Sequence, residues 1–365
     1  MIPLYKPYIA NDVDLSPILF SGKLNVGKWG EKLEHMINEY LSTKNVCLVN
    51  NYNLAFHILF NHLKLKHGDK VALSPLACLE STMPVKSYGL EIVWVDIDPN
   101  TGTLLPESLE KILNENDIKA VLHNHFCGNP GHIDEIRKLT TLHSITLIDD
   151  GIECFGSEYK LRKIGNNTAD YSIFSLSYVR IPNCLQGAAI VTNNYDDYKQ
   201  IKIITDNGID RNNFRDLNGE IKSDIDITNI GYSGVMSEVN AYLGVKSMEN
   251  IHTLLNIQKI NSSAWEVFIK KHLPDAITFG DDIRTPNYWV FGVITNKKKE
   301  LINYLNSVNI KTSSVHTNNN SYSVFSNKET LKNVDYFMDR FVALPCGWWV
   351  NSSDIISLVD ANINI

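Results

Sequence analysis

The chain has 365 residues, of which 44% are hydrophobic and 21% charged, a composition typical of folded globular proteins rather than disordered ones. Its formal net charge of −7 argues against a general binder of nucleic acid or of anionic membranes. This length favours two domains, and we expect a large domain over residues 1–245 and a small one over residues 246–365.

Apolar runs in the sequence are shorter than the roughly 18 residues that a transmembrane helix needs. The N-terminus also lacks the charged-then-apolar pattern of a signal peptide, so we expect a cytoplasmic protein. The six cysteines are dispersed, without a CxxC pair or a Cys/His cluster at zinc spacing. The sequence therefore predicts neither a disulfide framework nor a metal site.

The first 200 residues alternate between apolar, β-branched runs and segments with helical periodicity, which predicts a parallel sheet covered by helices. The predicted strands are residues 70–73, 92–95, 120–123, 145–148, 171–176 and 187–192. The predicted helices between them are residues 54–63, 106–114 and 133–142. A long helix over residues 237–270 should then leave this domain.

The order of elements changes after the long helix, which predicts a smaller α+β unit. Its predicted elements are a strand over residues 288–295, a helix over 298–307, a strand over 341–344 and a final helix from Ser353. Ligands of α/β proteins bind beyond the carboxyl ends of the strands. The segments that follow the predicted strands are therefore where functional side chains are expected.

Those segments carry motifs that resemble the DegT/StrS family of pyridoxal-phosphate-dependent sugar aminotransferases. The motifs occur in family order and at family spacing. They are VDIDPNT at residues 95–101, HFCGNP at 125–130, DDGIE at 149–153, FSL at 174–176, and GY at 231–232. The resemblance implies a fold-type-I pyridoxal-phosphate-transferase architecture: a large α/β domain with a mainly parallel sheet between helices, and a small α+β C-terminal domain.

The resemblance also implies positions for cofactor binding. A pyridoxal-phosphate enzyme needs a carboxylate against the pyridine nitrogen, and Asp150 holds that position. Ser175 matches the phosphate-binding serine, and Asn53 lies in the first phosphate loop, where it could donate a hydrogen bond or cap the helix. Leu79 falls where the family has an aromatic residue over the ring. Ser233 falls where the family has an asparagine contributed by the neighbouring subunit.

The cofactor lysine of the family corresponds here to Arg180. A Schiff base requires an unprotonated amine, and a guanidinium stays protonated in proteins. Tyr52 replaces the glycine of the phosphate loop, and Glu153 replaces a glutamine or histidine. Together with Leu79 and Ser233, these departures predict a remodelled pocket that binds pyridoxal phosphate poorly or not at all, and without a covalent aldimine.

Other polar residues are candidates for chemistry and for substrate binding. Arg180 would anchor an anion or carboxylate, with Glu153 and His125 as acid-base groups. In the small domain, a stretch resembling the family's sugar-binding segment offers further hydrogen-bonding groups and an aromatic face, provided by His316, Asn318, Asn319 and Tyr322. Each of these also has a plain structural interpretation, as a capped loop or as a histidine bonded to the backbone.

Three functions remain open from the sequence. The first is an enzyme acting on a nucleotide-linked sugar, in surface-polysaccharide or deoxysugar synthesis, without an internal aldimine. The second is a non-catalytic homologue that acts as a binding or partner subunit. The third is a pyridoxal-phosphate aminotransferase or dehydratase that holds its cofactor non-covalently. By resemblance the protein would form a homodimer.

Overall fold

The computed structural model describes residues 1–325 and 329–360. Its strands, in chain order, are β1 (Asn45–Val49), β2 (Lys70–Leu73), β3 (Glu91–Trp94), β4 (Ile118–Asn124), β5 (Thr146–Gly151), β6 (Glu158–Tyr159), β7 (Arg162–Lys163), β8 (Tyr171–Ser175), β9 (Ala188–Thr192), β10 (Ile277–Thr278), β11 (Arg284–Thr285), β12 (Val290–Ile294) and β13 (Phe341–Pro345). Every strand predicted from the sequence is present to within a few residues.

The helices, in chain order, are α1 (Ser16–Leu19), α2 (Lys28–Leu41), α3 (Tyr52–His62), α4 (Leu79–Ser87), α5 (Pro106–Glu115), α6 (Ile133–Leu142), α7 (Tyr195–Thr205), α8 (Arg211–Phe214), α9 (Glu238–Met248), α10 (Ile251–His272), α11 (Lys298–Ser307), α12 (Lys332–Met338) and α13 (Ser352–Val359). The prediction of one helix over residues 237–270 was wrong, because the chain breaks between α9 and α10 at Glu249 and Asn250. Asparagine is a poor residue for a helix interior, since its side chain competes for backbone hydrogen bonds.

Among the described residues, the largest sheet has seven strands in the order β1-β9-β8-β5-β4-β2-β3. The strands from β8 to β3 run parallel to their neighbours, whereas β9 pairs antiparallel with both β8 and β1. The sheet is therefore mainly parallel, as predicted. Strands β1, β8 and β9 are buried along their whole length, which fits continuous apolar runs covered on both faces.

Separate apolar clusters stabilise the two faces of this sheet and the C-terminal part. One face packs on α3 through Phe56 and Leu59, and the other packs on α2 and α9 through Leu33 and Val245. A further cluster fills the space between α10 and the small sheet β10-β12-β13 and includes Trp265. The arrangement has the predicted α/β and α+β parts, while a domain boundary at residue 245 stays a prediction.

Within residues 1–325 and 329–360, every helix is too short or too polar to cross a lipid bilayer.

Candidate functional site at the carboxyl edge of the central sheet

The carboxyl end of β5 carries two buried carboxylates. Asp150 lies on the strand, and Glu153 follows shortly after it. Because β4 and β8 flank β5, the segments that leave those strands meet at the same edge and bring His125 and Arg180 to it. The structure thus gathers the main candidate residues of the sequence into one region.

Asp150 is bonded to Tyr52, the first residue of α3. The Tyr52 hydroxyl donates to Asp150 Oδ1 over 2.5 Å, and the Ile152 N–H donates to the same oxygen over 3.3 Å. Both side chains are buried. Burial raises the pKa of Asp150, and burial together with the adjacent carboxylate raises the pKa of Tyr52 well above its ordinary value. The phenol therefore keeps its proton and serves as the donor.

Glu153 is the centre of a second polar group. Its Oε1 atom lies 2.7 Å from His316 Nε2 and 3.4 Å from Arg180 Nη2, while its Oε2 atom accepts the Cys127 N–H over 2.8 Å. Burial alone would raise the pKa of Glu153, but His316, Arg180 and the Cys127 N–H together lower it to about 2. Glu153 is therefore ionised at neutral pH, and it lies in contact with Arg180 and His316.

Arg180 is buried against an aromatic ring. Its guanidinium carbon lies 4.1 Å from the centroid of the Trp289 ring, and the Trp289 Nε1–H donates to the Val179 carbonyl over 3.0 Å. Its side chain is only 8% exposed, yet Nε and Nη1 have no hydrogen-bond partner among the described residues. The guanidinium is thus held by Glu153 and Trp289, with two donors left over.

Two small cavities adjoin these groups. One is lined by Ser175, Arg180 and Trp289, and the other by Asp150 and His316 among others; each measures about 10 Å³. That volume holds roughly one water molecule. Pyridoxal phosphate would need a ring-sized space beside Asp150, and a lysine as well if its aldehyde were held covalently. As arranged, the side chains do not fit this cofactor.

The expected phosphate-binding residues have other contacts. The Ser175 hydroxyl donates to Ser177 Oγ over 3.1 Å and is buried. The suggestion that Asn53 caps α3 was wrong, because Asn51 is the residue whose side chain accepts the Leu54 N–H. A capping residue must directly precede the first helical turn, and α3 begins at Tyr52, so Asn53 is already inside the helix.

Leu79 and Ser233 lie at the surface of the chain. Leu79 is the first residue of α4 and is 40% exposed. Ser233 is also exposed, and its carbonyl accepts a hydrogen bond from the Asn50 side chain over 2.9 Å. These two residues stay predictions as cofactor ligands.

His125 belongs to a buried group that was not predicted from sequence spacing. His123, His125 and Asp149 place potential ligand atoms within 4.8 Å of one another. His125 Nε2 and His123 Nδ1 lie 3.2 and 3.6 Å from Asp149 Oδ1. However, the Gly131 N–H donates to His125 Nδ1 over 3.1 Å, so the proton of the neutral ring sits on Nε2. Because it carries this proton, Nε2 has no lone pair for a metal ion, and it lies 3.2 Å from Asp149 Oδ1 without a hydrogen-bond partner among the described residues.

The C-terminal segment supplies His316, whereas its neighbours have different surroundings. Asn318 caps a short 3₁₀ helix by accepting the Asn320 N–H over 3.0 Å, and Tyr322 is 38% exposed. The buried Asn319 instead attaches the segment to the residues just before α4, since its amide donates to the Ala77 carbonyl over 2.8 Å. Substrate contacts by Asn318 and Tyr322 stay predictions.

One residue of the site was missed in the sequence, Trp289. Trp289 directly precedes β12 and so lies at the amino end of that strand, whereas functional side chains were expected at the carboxyl ends of strands. Asn319 was expected as a hydrogen-bonding group for a sugar, and its contact with the Ala77 carbonyl was not predicted. The size of the Trp289 side chain could have indicated its role, because large aromatic side chains are often buried and pack well against guanidinium groups.

The mainly parallel seven-stranded sheet covered by helices is the fold-type-I architecture of pyridoxal-phosphate transferases. A sequence model of the DegT/DnrJ/EryC1/StrS aminotransferase family matches residues 10–361. The chain belongs to this family. Two similar solved structures hold PLP, whereas Arg180 and Tyr52 stand here where the resemblance implies the cofactor lysine and the glycine of the phosphate loop.

Known proteins similar to this chain include a UDP-4-amino-4,6-dideoxy-N-acetyl-beta-L-altrosamine transaminase of Campylobacter jejuni (strain 81-176). It is 28% identical over 97% of this chain and 94% of the relative. The sugar aminotransferase CalS13 from Micromonospora echinospora has a similar structure, with a TM-score of 0.88, 24% identity, and coverage of 99% of this chain and 98% of that one.

A further solved structure is that of the E. coli GDP-4-keto-6-deoxy-D-mannose-3-dehydratase with bound hydrated PLP. It has a TM-score of 0.82 and 21% identity and covers 98% of this chain and 99% of that one. At these identities the solved structures establish the fold, and they confirm the fold-type-I architecture that the sequence predicts.

Proposed function

We propose that this protein binds a nucleotide-linked sugar at the carboxyl edge of the central sheet and does not carry out lysine-dependent amino transfer. The observation that carries this proposal is the buried contact between Arg180 and Glu153, at the position where the family has its cofactor lysine. Membership of the family, and the UDP-sugar substrate named for the Campylobacter relative, support the ligand class.

Arg180 is unsuited to the chemistry of the lysine it replaces. Its guanidinium stays protonated, and it is further engaged by an ionised carboxylate and the face of Trp289. We assign it the role of positioning Glu153 and of presenting its two unpaired donors, Nε and Nη1, to a polar or anionic ligand group.

Glu153 and His316 are the pair able to hold and move a proton. Their side chains meet at 2.7 Å, and His316 is more exposed than Glu153, so a ligand would reach His316 first. A carboxylate that accepts from an imidazole fixes the orientation of the ring. We propose that His316 donates to a hydroxyl or carbonyl oxygen of the sugar. His125 is less suited to this role, because it is buried and faces Asp149.

A second candidate function is a non-catalytic subunit. The observation that favours it is the small volume of the two cavities at the site, about 10 Å³ each, which leaves little room for a reacting group. For both candidates we propose a homodimer located in the cytoplasm.

Calorimetric titration with UDP-N-acetylglucosamine, with UDP alone as a reference, tests the ligand class. We expect saturable binding of the sugar nucleotide and about a tenfold loss of affinity in His316→Ala, since one charge-assisted hydrogen bond is removed. His35→Ala, at an exposed position of α2, is the matched control. Absence of binding, or equal affinities for the two variants, would contradict the proposal.

Mass spectrometry of the sugar nucleotide after incubation distinguishes the two candidates. An enzyme should convert a keto-sugar nucleotide, and Glu153→Gln should abolish the conversion, whereas a non-catalytic subunit should return the ligand unchanged. Production of an amino sugar that depends on added glutamate and pyridoxal phosphate would refute the claim that lysine-dependent amino transfer has been lost.

A further inference from the structure

Tyr52 extends from the first turn of α3 to the carboxyl end of β5. In the sequence it stands where a glycine would let the backbone approach a phosphate, and in the structure its hydroxyl reaches Asp150. The side chain therefore runs from the position of a phosphate loop to the carboxylate that would face a pyridine nitrogen.

We infer that the Tyr52 side chain is an internal substitute for the cofactor ring: it fills the ring's place and donates to Asp150 as a protonated pyridine nitrogen would. This inference concerns the cofactor site alone. It does not depend on sugar binding, which is measured with a different ligand.

Packing around the phenol supports its role as a filling group. Tyr52 is 3% exposed, and its ring meets Phe56, one helical turn later, edge to face at a centroid distance of 5.3 Å. The cavity beside Asp150 holds only about one water molecule. Because protein interiors have little spare volume, a cofactor ring can enter only where the phenol leaves.

The hydrogen bonds and protonation of Asp150 also support this inference. Asp150 is buried, and a carboxylate in a dry site needs donors or a cation. Here the donors are the Tyr52 hydroxyl and the Ile152 N–H, both neutral. Burial raises the pKa values of both Tyr52 and Asp150, so the pair holds its proton without a cationic partner. A cofactor would have to replace the phenol in this hydrogen bond as well as in space.

The local sequence fixes the direction of the phenol. Asn51 caps α3 by accepting the Leu54 N–H over 3.2 Å, which makes Tyr52 the first helical residue. From there Ala55 and Phe56 face the core and hold the start of the helix against the sheet. The phenol is thus attached to a fixed backbone rather than to a free loop.

Two obstacles to the cofactor follow, and they are separate. Arg180 cannot form a covalent link to the cofactor, and Tyr52 occupies the space that the cofactor ring would need. Restoring the lysine alone should therefore fail, whereas removing the phenol should admit the ring without a covalent link. Only both changes together should allow covalent attachment at position 180.

Four proteins test this separation: the wild type, Arg180→Lys, Tyr52→Ala and the double variant. Equilibrium dialysis with pyridoxal phosphate measures non-covalent binding, and borohydride reduction followed by peptide mass spectrometry locates covalent attachment. We expect Tyr52→Ala to bind the cofactor about tenfold or more tightly than the wild type, because an occupied site lowers apparent affinity. We expect attachment at position 180 in the double variant alone.

Control variants distinguish the effect of the phenol's volume from loss of folding and from reaction of the cofactor with lysines at the surface. Tyr52→Phe keeps the ring and should still exclude the cofactor, and Tyr52→Val provides a second shortened side chain if the alanine variant unfolds by circular dichroism. Arg162→Lys, on β7, should show no attachment at its own position. The inference is overturned if Arg180→Lys alone is labelled at position 180, if Tyr52→Phe binds like Tyr52→Ala, or if folded shortened variants bind no more cofactor than the wild type.

Discussion

Replacing Glu153 with glutamine should make the free energy of unfolding depend less on pH in the acid range. Burial opposes the ionisation of Glu153, yet His316 and Arg180 lower its pKa from 4.5 to about 2 in the folded protein. A carboxylate whose pKa is lowered by folding stabilises the folded state fully above its unfolded-state pKa and loses that effect as pH falls. The difference corresponds to roughly 3 kcal/mol of unfolding free energy.

Urea unfolding between about pH 7 and about pH 3.5 measures this contribution. Below the unfolded-state pKa, the stability advantage of the wild type over Glu153→Gln should shrink by about 1.4 kcal/mol per pH unit. Glu110→Gln, at an exposed position of α5, is the control and should follow the wild-type profile. Parallel profiles for the wild type and Glu153→Gln would refute the assignment of a lowered pKa to this carboxylate.

Three further outcomes are expected. Trp289→Leu should lower the unfolding free energy by about 2 kcal/mol or more, and Trp289→Phe by less, because an aromatic face over Arg180 is kept; equal losses would contradict this contact. Asn319→Ala should lower the free energy of unfolding, measured by thermal unfolding, by about 2 kcal/mol, because the buried Ala77 carbonyl loses its donor. Asn318→Ala should lower it by less, and a larger loss in Asn318→Ala would contradict this assignment. Added Zn²⁺ should leave the melting temperature unchanged, because the Nε2 atom of His125 carries a proton and cannot bind the ion. A saturable rise in melting temperature would show that the histidines do bind zinc.

The fold was largely predictable because its signal is spread over many residues. Buried parallel strands carry short apolar runs, such as Ala120-Val121-Leu122 in β4, and the family resemblance of motifs such as residues 95–101 indicates their order. The break between α9 and α10 was missed, since both helices continue the same apolar periodicity across Asn250. A single unfavourable residue is a weak signal against a long periodic segment.

The site was predictable as a set of departures but not as an arrangement. The sequence shows that Tyr52 and Arg180 replace family residues, and it predicts a changed pocket. It does not show that the phenol reaches Asp150, or that Glu153 binds both Arg180 and His316. Those contacts join residues far apart in the chain, and their pairing depends on side-chain directions that only the folded backbone determines.

Glu153 and His316 are separated by 163 positions, so their contact couples the central sheet to the segment before β13. If that segment detached, an ionised carboxylate and a guanidinium would be left in the interior with one counter-group fewer. Partial opening is therefore costly, and the two parts of the chain should melt in one cooperative transition at neutral pH. Acid would remove this coupling, which makes Glu153 a determinant of how the protein unfolds.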